Sequence, residues 1–290
     1  MPKPTLGFIG VGTMGGGMAR NLLKAGYALV IFDLKPENAQ PLVELGAQLG
    51  QSARDVVQKS DIILTSLPTS GTLVNVAEEI IPELAAGKII IDTGTTEVPE
   101  TRRLAERIRA KGADLVDAPV SGGGRGADAG TLAVMVGGAE ASVQRCQPIL
   151  DVIGGNVGHL GDVGAGQLGK AVNQIAMGVG LAAFAESLFL GVQAGLDPRK
   201  ICDVLSSAGA ANTSFKGAAD QVIQGRIETQ DFKLRELPYF IAQAKAEGIN
   251  LPLTEALLGF ASKGEDRTTD PLGIPTPSFW YELSHRRREA

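Results

Sequence analysis

The sequence holds few of the residues that bind metals or staple small folds: two cysteines and two histidines among 290 residues. Cys146 and Cys202 stand alone without C-x-x-C spacing, so neither a zinc ribbon nor a disulfide framework is expected. Both read as small apolar residues in a reducing compartment. His159 lies in the glycine-rich stretch Gly158-His159-Leu160-Gly161, and His285 in the terminal Ser284-His285-Arg286-Arg287-Arg288-Glu289-Ala290. Neither has a partner at metal-ligand spacing, and no metal is expected. The formal net charge of −5 argues against a nucleic-acid surface, and the terminal arginines read as a solvated, frayed end. The most apolar run, residues 175–185, is closed by Glu186. It falls short of the roughly 20 residues that cross a bilayer, so a buried helix and no membrane contact are expected. Met1-Pro2-Lys3-Pro4 leads straight into Thr5-Leu6-Gly7-Phe8-Ile9-Gly10 with no charged leader and long apolar run, so no secretory signal is read and a cytoplasmic location is expected.

Glycine is abundant instead, with 38 residues where a typical chain of this length has about 20. Twenty of the 38 fall in segments 7–17, 122–138 and 154–169. At 44% hydrophobic and 20% charged, the chain can bury a large core, and its length suits two domains. Up to about residue 160, nearly continuous apolar runs recur: 6–10, 28–33, 61–66, 88–92 and 114–117. Strands apolar on both faces belong to a parallel sheet covered by helices, and the intervening stretches fit helical crossovers. The first crossover is marked by Met14, Met18 and Leu22 at i, i+4 and i+8, with Lys24-Ala25-Gly26 as its stop. Beyond about residue 160 a helix over 167–194 is expected, then helices over 237–247 and 254–263, with no strand. A helix so long and apolar around most of its circumference should be packed on several sides, by its own domain with a second subunit as a further partner. The expected fold is therefore α/β: a Rossmann-type, doubly wound, mainly parallel sheet over residues 1–162, followed by an all-α domain over 163–290 linked through the long helix.

Three segments carry the chemistry. Gly10-Val11-Gly12-Thr13-Met14-Gly15 follows a strand, opens a helix and is trailed by Asp33 at the end of the second strand. In that setting Gly10 makes the tight turn, Gly12 admits a pyrophosphate against backbone, and Gly15 lets helix and strand pack closely. A carboxylate at Asp33 accepts from the ribose hydroxyls of NAD and repels the extra phosphate of NADP, so NAD is favoured, with NADP the alternative through Lys35. Asp117-Ala118-Pro119-Val120-Ser121-Gly122-Gly123-Gly124 ends another strand, and its amides and serine hydroxyl suit a small anion. The third segment runs from Gly164 to Gln174, where Lys170, Asn173 and Gln174 share one helix face at i, i+3 and i+4. A free lysine titrates at roughly 10.4, too high for a base near neutrality, and a desolvated site beside an oxidised nicotinamide favours the neutral amine.

Residues 8–22 together resemble the opening signature of the β-hydroxyacid dehydrogenases, which include 3-hydroxyisobutyrate dehydrogenase and tartronate semialdehyde reductase. Asp117 to Gly123, then Gly130-Thr131-Leu132 with Met135-Val136-Gly137-Gly138, and Gly166 to Asn173 also match in order and spacing, and the likeness spans about residues 5 to 260. The resemblance implies that Lys170 is the catalytic lysine, that Ser121, Gly122 and Gly123 hold a substrate carboxylate, and that Asn173 orients substrate and lysine. It further implies that Leu67, Pro68 and Thr95 line the cofactor, and that the protein is a homodimer or homotetramer.

Three departures stand out. Asn173-Gln174 replaces the familiar asparagine pair and resembles the tartronate semialdehyde reductase branch, so Gln174 is a candidate substrate contact. Asp92-Thr93-Gly94-Thr95 keeps the family's threonine but lacks its serine. Arg235-Glu236 stands where the family presents a Lys-Asp pair closing over the cofactor, in a shortened segment; Arg235 keeps the charge without a lysine's geometry. The expected function is NAD(P)-dependent hydride transfer between nicotinamide and a small 3-hydroxy acid or its semialdehyde. The alternatives are an NADPH-preferring reductase of glyoxylate or succinate semialdehyde and a non-catalytic dinucleotide-binding protein.

Overall fold

A computed structural model describes residues 3–205, 236–261, 267–269 and 275–277. The chain divides into two compact units, Met1–Lys170 and Ala171–Ala290.

The first unit is a nine-stranded sheet. Its parallel part comprises β1 (Leu6–Ile9), β2 (Leu29–Phe32), β3 (Gln48–Leu49), β4 (Ile62–Thr65), β5 (Ile89–Asp92) and β6 (Asp114–Asp117), in the order β3-β2-β1-β4-β5-β6. That order is the dinucleotide-binding arrangement, with the reversal point between β1 and β4. Leu6, Phe8, Ile63, Leu64, Ile89 and Ile91 are fully buried, as expected for strands covered on both faces. The crossovers are α1 (Thr13–Lys24), α2 (Pro36–Glu44), α3 (Ala53–Gln58), α4 (Ser70–Ile80) and α5 (Val98–Arg109). On α1, Met18 and Leu22 are fully buried and Met14 packs against the same core, so the i, i+4, i+8 stripe is the face laid on the sheet.

Past β6 the chain leaves the simple alternation of parallel strand and crossover helix. It adds β7 (Val120–Ser121), α6 (Gly123–Ala129), β8 (Leu132–Gly137), α7 (Glu140–Ile153) and β9 (Gly154–Gly161). β8 runs antiparallel to β6 and β7 and parallel to β9. The sheet ends at Gly161, just before the boundary read from the sequence, and the residues from there through Lys170 belong to the first unit.

The long helix is present as α8 (Ala165–Gln193), followed by α9 (Pro198–Leu205), α10 (Leu237–Ala246) and α11 (Pro252–Ala261). In the second unit Ala182, Leu188, Leu237, Phe240 and Leu257 form a small buried core. Two expectations are corrected here. Strands do occur late in the chain: β10 (Arg267–Thr269) pairs antiparallel with β11 (Pro275–Pro277), each too short to give a periodic signal. The apolar stretch is also longer than residues 175–185, because Ala165–Leu188 is long and apolar enough, by length and composition alone, to cross a membrane. On this helix Val172 is 70% and Leu190 71% exposed.

Candidate active site

The glycine turn is built by close approach. A Cβ on Gly15 would stand 2.0 Å from the Gly10 carbonyl oxygen, so α1 can sit this near the end of β1 only with glycine there. A Cβ on Gly12 would meet only the Asn38 side-chain nitrogen, at 3.9 Å, and so faces open space. Gly12 is also the N-cap of α1 and brings no capping side chain, which leaves the first-turn N–H groups without a side-chain acceptor. Thr13, exposed, and Met14, half-buried, form that turn. Open space over bare helix amides at the sheet's reversal point is the cradle a dinucleotide pyrophosphate needs, and the residues fit that cofactor.

Asp33 lies half-buried just past β2. Its Oδ2 accepts from the Val11 N–H at 2.8 Å, and its Oδ1 from the Lys35 N–H at 2.9 Å and the Asn38 amide at 3.1 Å. These donors fix the carboxylate beside the turn and leave lone pairs for ribose hydroxyls. Asn38 was not legible as a partner, although its place in the first turn of α2 puts it over Gly12. Leu67 is half-buried and Pro68 exposed in the loop after β4; the Leu67 side chain stands 3.0 Å from where a Gly10 Cβ would be. Thr95 is half-buried in the loop after β5. Cofactor candidates from the ends of β1, β2, β4 and β5 are thus all at the carboxyl edge of the sheet.

Ser121 ends β7, and the exposed Gly122 and Gly123 follow with φ of 139° and 63°, values that favour glycine. Lys170 is only 3% exposed, and its Nζ donates to the Val120 carbonyl at 2.7 Å. The lysine is therefore held on the residue adjoining the proposed carboxylate loop.

Beneath it lies a polar network that sequence reasoning missed. Asp117, fully buried at the end of β6, accepts from the Gly164 N–H at 2.7 Å and the Gln167 N–H at 2.9 Å. Its neighbour across the β5–β6 register is Asp92, which accepts from the Thr65 hydroxyl at 2.9 Å and the Thr96 hydroxyl at 2.8 Å. Gln167, whose N–H bonds Asp117, reaches the residues around Asp92 through its side chain, donating to the Gly94 carbonyl at 3.0 Å and accepting from the Thr96 N–H at 3.0 Å. A signal existed: the runs 88–92 and 114–117 each end a buried strand on a carboxylate, which must find donors.

Burial pushes the Asp92 carboxyl up to about 6 against the Thr96, Thr65 and Gly94 hydrogen bonds, and the Asp117 charge adds to the rise. Burial raises Asp117 as well, opposed first by the Gly164 and Gln167 amides. An unfolded aspartate titrates near ~3.9. From there to about 6 the folded chain keeps a proton that the unfolded chain has released, so this group's contribution to stability falls as pH rises through that window. The change is at most about 3 kcal/mol. Asp92→Asn keeps an acceptor for Thr65 and Gly94 and can donate to the Thr96 hydroxyl. Urea midpoints at about pH 4.5 and about pH 7 should therefore differ less in this variant than in the wild type; an unchanged difference would assign the slope to another group.

In the second unit, the Asn173 amide lies 3.4 Å from Gln174 Oε1 and 3.5 Å from the Met177 sulfur. Gln174 is buried, with its amide donated to Glu236 at 2.6 Å. Arg235 lies outside the described residues. Among those residues no group of three His, Cys, Asp or Glu is placed to hold a metal.

Residues 5–161 match the family described as the NAD binding domain of 6-phosphogluconate dehydrogenase, and residues 164–268 match the NAD-binding region of NADP-dependent 3-hydroxyisobutyrate dehydrogenase. The 2-(hydroxymethyl)glutarate dehydrogenase of Eubacterium barkeri is 37% identical over 256 residues, 86% of this chain and 85% of that protein. The chain belongs to the β-hydroxyacid dehydrogenase family. Its members include the 3-hydroxyisobutyrate dehydrogenase of Pseudomonas aeruginosa, 40% identical over 71% of this chain and 70% of that one. A solved Mycobacterium tuberculosis 3-hydroxyisobutyrate dehydrogenase with L-serine superposes with a TM-score of 0.83 at 27% identity, covering 98% of this chain and 99% of the other. The protein is an NAD(P)-dependent dehydrogenase acting on a CH–OH group, of the 3-hydroxyisobutyrate dehydrogenase type.

Proposed function

We propose that this β-hydroxyacid dehydrogenase interconverts a small 3-hydroxy acid and its semialdehyde, of the 3-hydroxyisobutyrate or tartronate semialdehyde type, with Lys170 as the proton-transfer residue. The observation that carries the proposal is the buried Lys170 Nζ on the Val120 carbonyl, one residue before Ser121. Ser121, Gly122 and Gly123 are assigned to the substrate carboxylate, and Asn173 and Gln174, at i+3 and i+4 from the lysine, are assigned to the substrate as well. The bound nicotinamide supplies the hydride acceptor in oxidation and the donor in reduction. In oxidation Lys170 takes the hydroxyl proton as the C–H bond gives up its electron pair; in reduction it returns a proton to the carbonyl oxygen. The protein's remaining work is to hold the reacting carbon in place and keep water out.

Asp33 favours NAD over NADP, since its fixed carboxylate would face the extra phosphate. The exposed apolar residues Val172, Met177 and Leu190 make α8 a surface for a second copy of the chain, giving a homodimer or homotetramer. Glu186 and Ser187, exposed on the same helix, suit that better than a bilayer. Initial rates with NADH and NADPH against tartronate, methylmalonate and succinate semialdehydes and glyoxylate test the assignment. The expected result is a kcat/KM at least about tenfold higher with NADH, greatest for a three-carbon semialdehyde or its methyl homologue. A tenfold advantage for NADPH would overturn the cofactor assignment.

A further inference from the structure

Lys170 lies near the start of α8, and the first turn of that helix is held unusually. Gly164, just before the helix, has φ of 93° and brings no capping side chain. The cap comes instead from Asp117, 47 residues earlier at Gly164 and 50 at Gln167, whose two oxygens divide those amides between them. The turn is pressed onto the sheet: a Cβ on Gly166 would lie 2.5 Å from the carbonyl oxygens of both Asp117 and Met135. Three residues on from Asp117, the Val120 carbonyl holds the Lys170 Nζ. One short stretch of chain thus grips the helix at its start and its lysine at the tip. Gln167 ties that same turn to the 94–96 loop, which carries the cofactor candidate Thr95.

We propose that Asp117 and Gln167 are positioning residues for the reaction, locking the first turn of α8 so that the Lys170 amine is presented at a fixed place beside Ser121 and in register with the cofactor loop. This rests on the assignment of Lys170 as the proton-transfer residue. An asparagine at 117 can accept from one of the two helix amides, but its NH₂ opposes the other, so the turn loses half its clamp. A methionine at 167 keeps the main-chain bond to Asp117 and the side-chain length but releases the 94–96 loop. In each case the lysine stays in the chain and loses its register.

The test uses Asp117→Asn, Gln167→Met and Lys170→Ala, alone and combined, at a temperature where melting curves show each fully folded. Asp117→Asn and Gln167→Met should each lower kcat about 10- to 100-fold at saturating cofactor, while the cofactor dissociation constant, read by fluorescence titration, changes less than about threefold in Asp117→Asn, which leaves the 94–96 loop tied. In the Lys170→Ala background, single-turnover rates at excess enzyme should fall less than about twofold further, because there is no amine left to position. Wild-type kcat in both folded variants, or losses that multiply with that of Lys170→Ala, would overturn the proposal. Should Asp117→Asn fail to fold, Gln167→Met decides alone. Full activity in Lys170→Ala would sink the lysine assignment itself, whereas an inactive Lys170→Ala beside fully active Asp117→Asn and Gln167→Met sinks only the positioning claim.

Discussion

Gly15→Ala is expected to break the cofactor turn, and Gly12→Ala, three residues away, to leave the free protein intact. At position 15 the new methyl would stand 2.0 Å from the Gly10 carbonyl oxygen, and alanine has no rotamer by which to avoid it. Either α1 backs away from β1 or the turn opens. Overpacking of this kind costs about 1–3 kcal/mol, and because the turn is itself the pyrophosphate site, cofactor affinity should fall at least about 100-fold as well. At position 12 the methyl meets only Asn38, at 3.9 Å, so unfolding free energy should change by less than about 0.5 kcal/mol. The space it fills is the space assigned to the cofactor, and affinity should still drop at least about tenfold. Denaturant unfolding of the free proteins together with cofactor titration separates the two effects. A Gly12→Ala variant that binds cofactor like the wild type would move the pyrophosphate elsewhere.

Lys170→Ala should bind cofactor normally and lose turnover by about 10²- to 10⁴-fold, the range over which a positioned acid or base contributes. The loss is expected in kcat, because the interaction removed is made while the proton moves. Folding should survive. The substitution removes a polar amine from a site where it is 3% exposed and leaves the Val120 carbonyl without that donor, effects that partly offset each other. Lys170→Arg keeps the charge yet should be nearly as inactive, since a guanidinium does not give up its proton near neutral pH.

How far these sites were legible depended on how local their physics is. The turn at Gly10 to Gly15 and the stripe of Met14, Met18 and Leu22 were readable because turn chemistry and helical periodicity act within a few residues. So was the face shared by Lys170, Asn173 and Gln174. β7 and β9 were not, because Gly154, Gly155, Gly158 and Gly161 interrupt the apolar pattern of β9 and β7 has only two residues, whereas β8, with the run Leu132-Ala133-Val134-Met135-Val136, carried a signal as plain as that of β4. The β10–β11 ladder escaped for the same reason of length. The clamp of Asp117 and Gln167 on α8 was hidden for another reason. Its hydrogen bonds join residues 47 to 73 positions apart, and nothing local marks a carboxylate at a strand end as a cap for a helix so far along the chain. That α8 needs cover on several sides was readable from its apolar circumference, but which of its residues its own chain leaves exposed was not, because an apolar helix looks the same whether its own chain or a second copy covers it. Arg235, read as a departure from the family pattern, lies beyond the described residues.

The central claim is that hydride moves directly between substrate and nicotinamide while Lys170 handles the proton. It is tested most directly by a single turnover with 3-hydroxyisobutyrate deuterated at its hydroxyl-bearing carbon, following deuterium into the reduced cofactor by mass spectrometry. The wild type should place one deuterium on the nicotinamide ring, and Lys170→Ala, saturated with the same cofactor, should place almost none in the same interval. Transfer by Lys170→Ala at the wild-type rate would contradict the account.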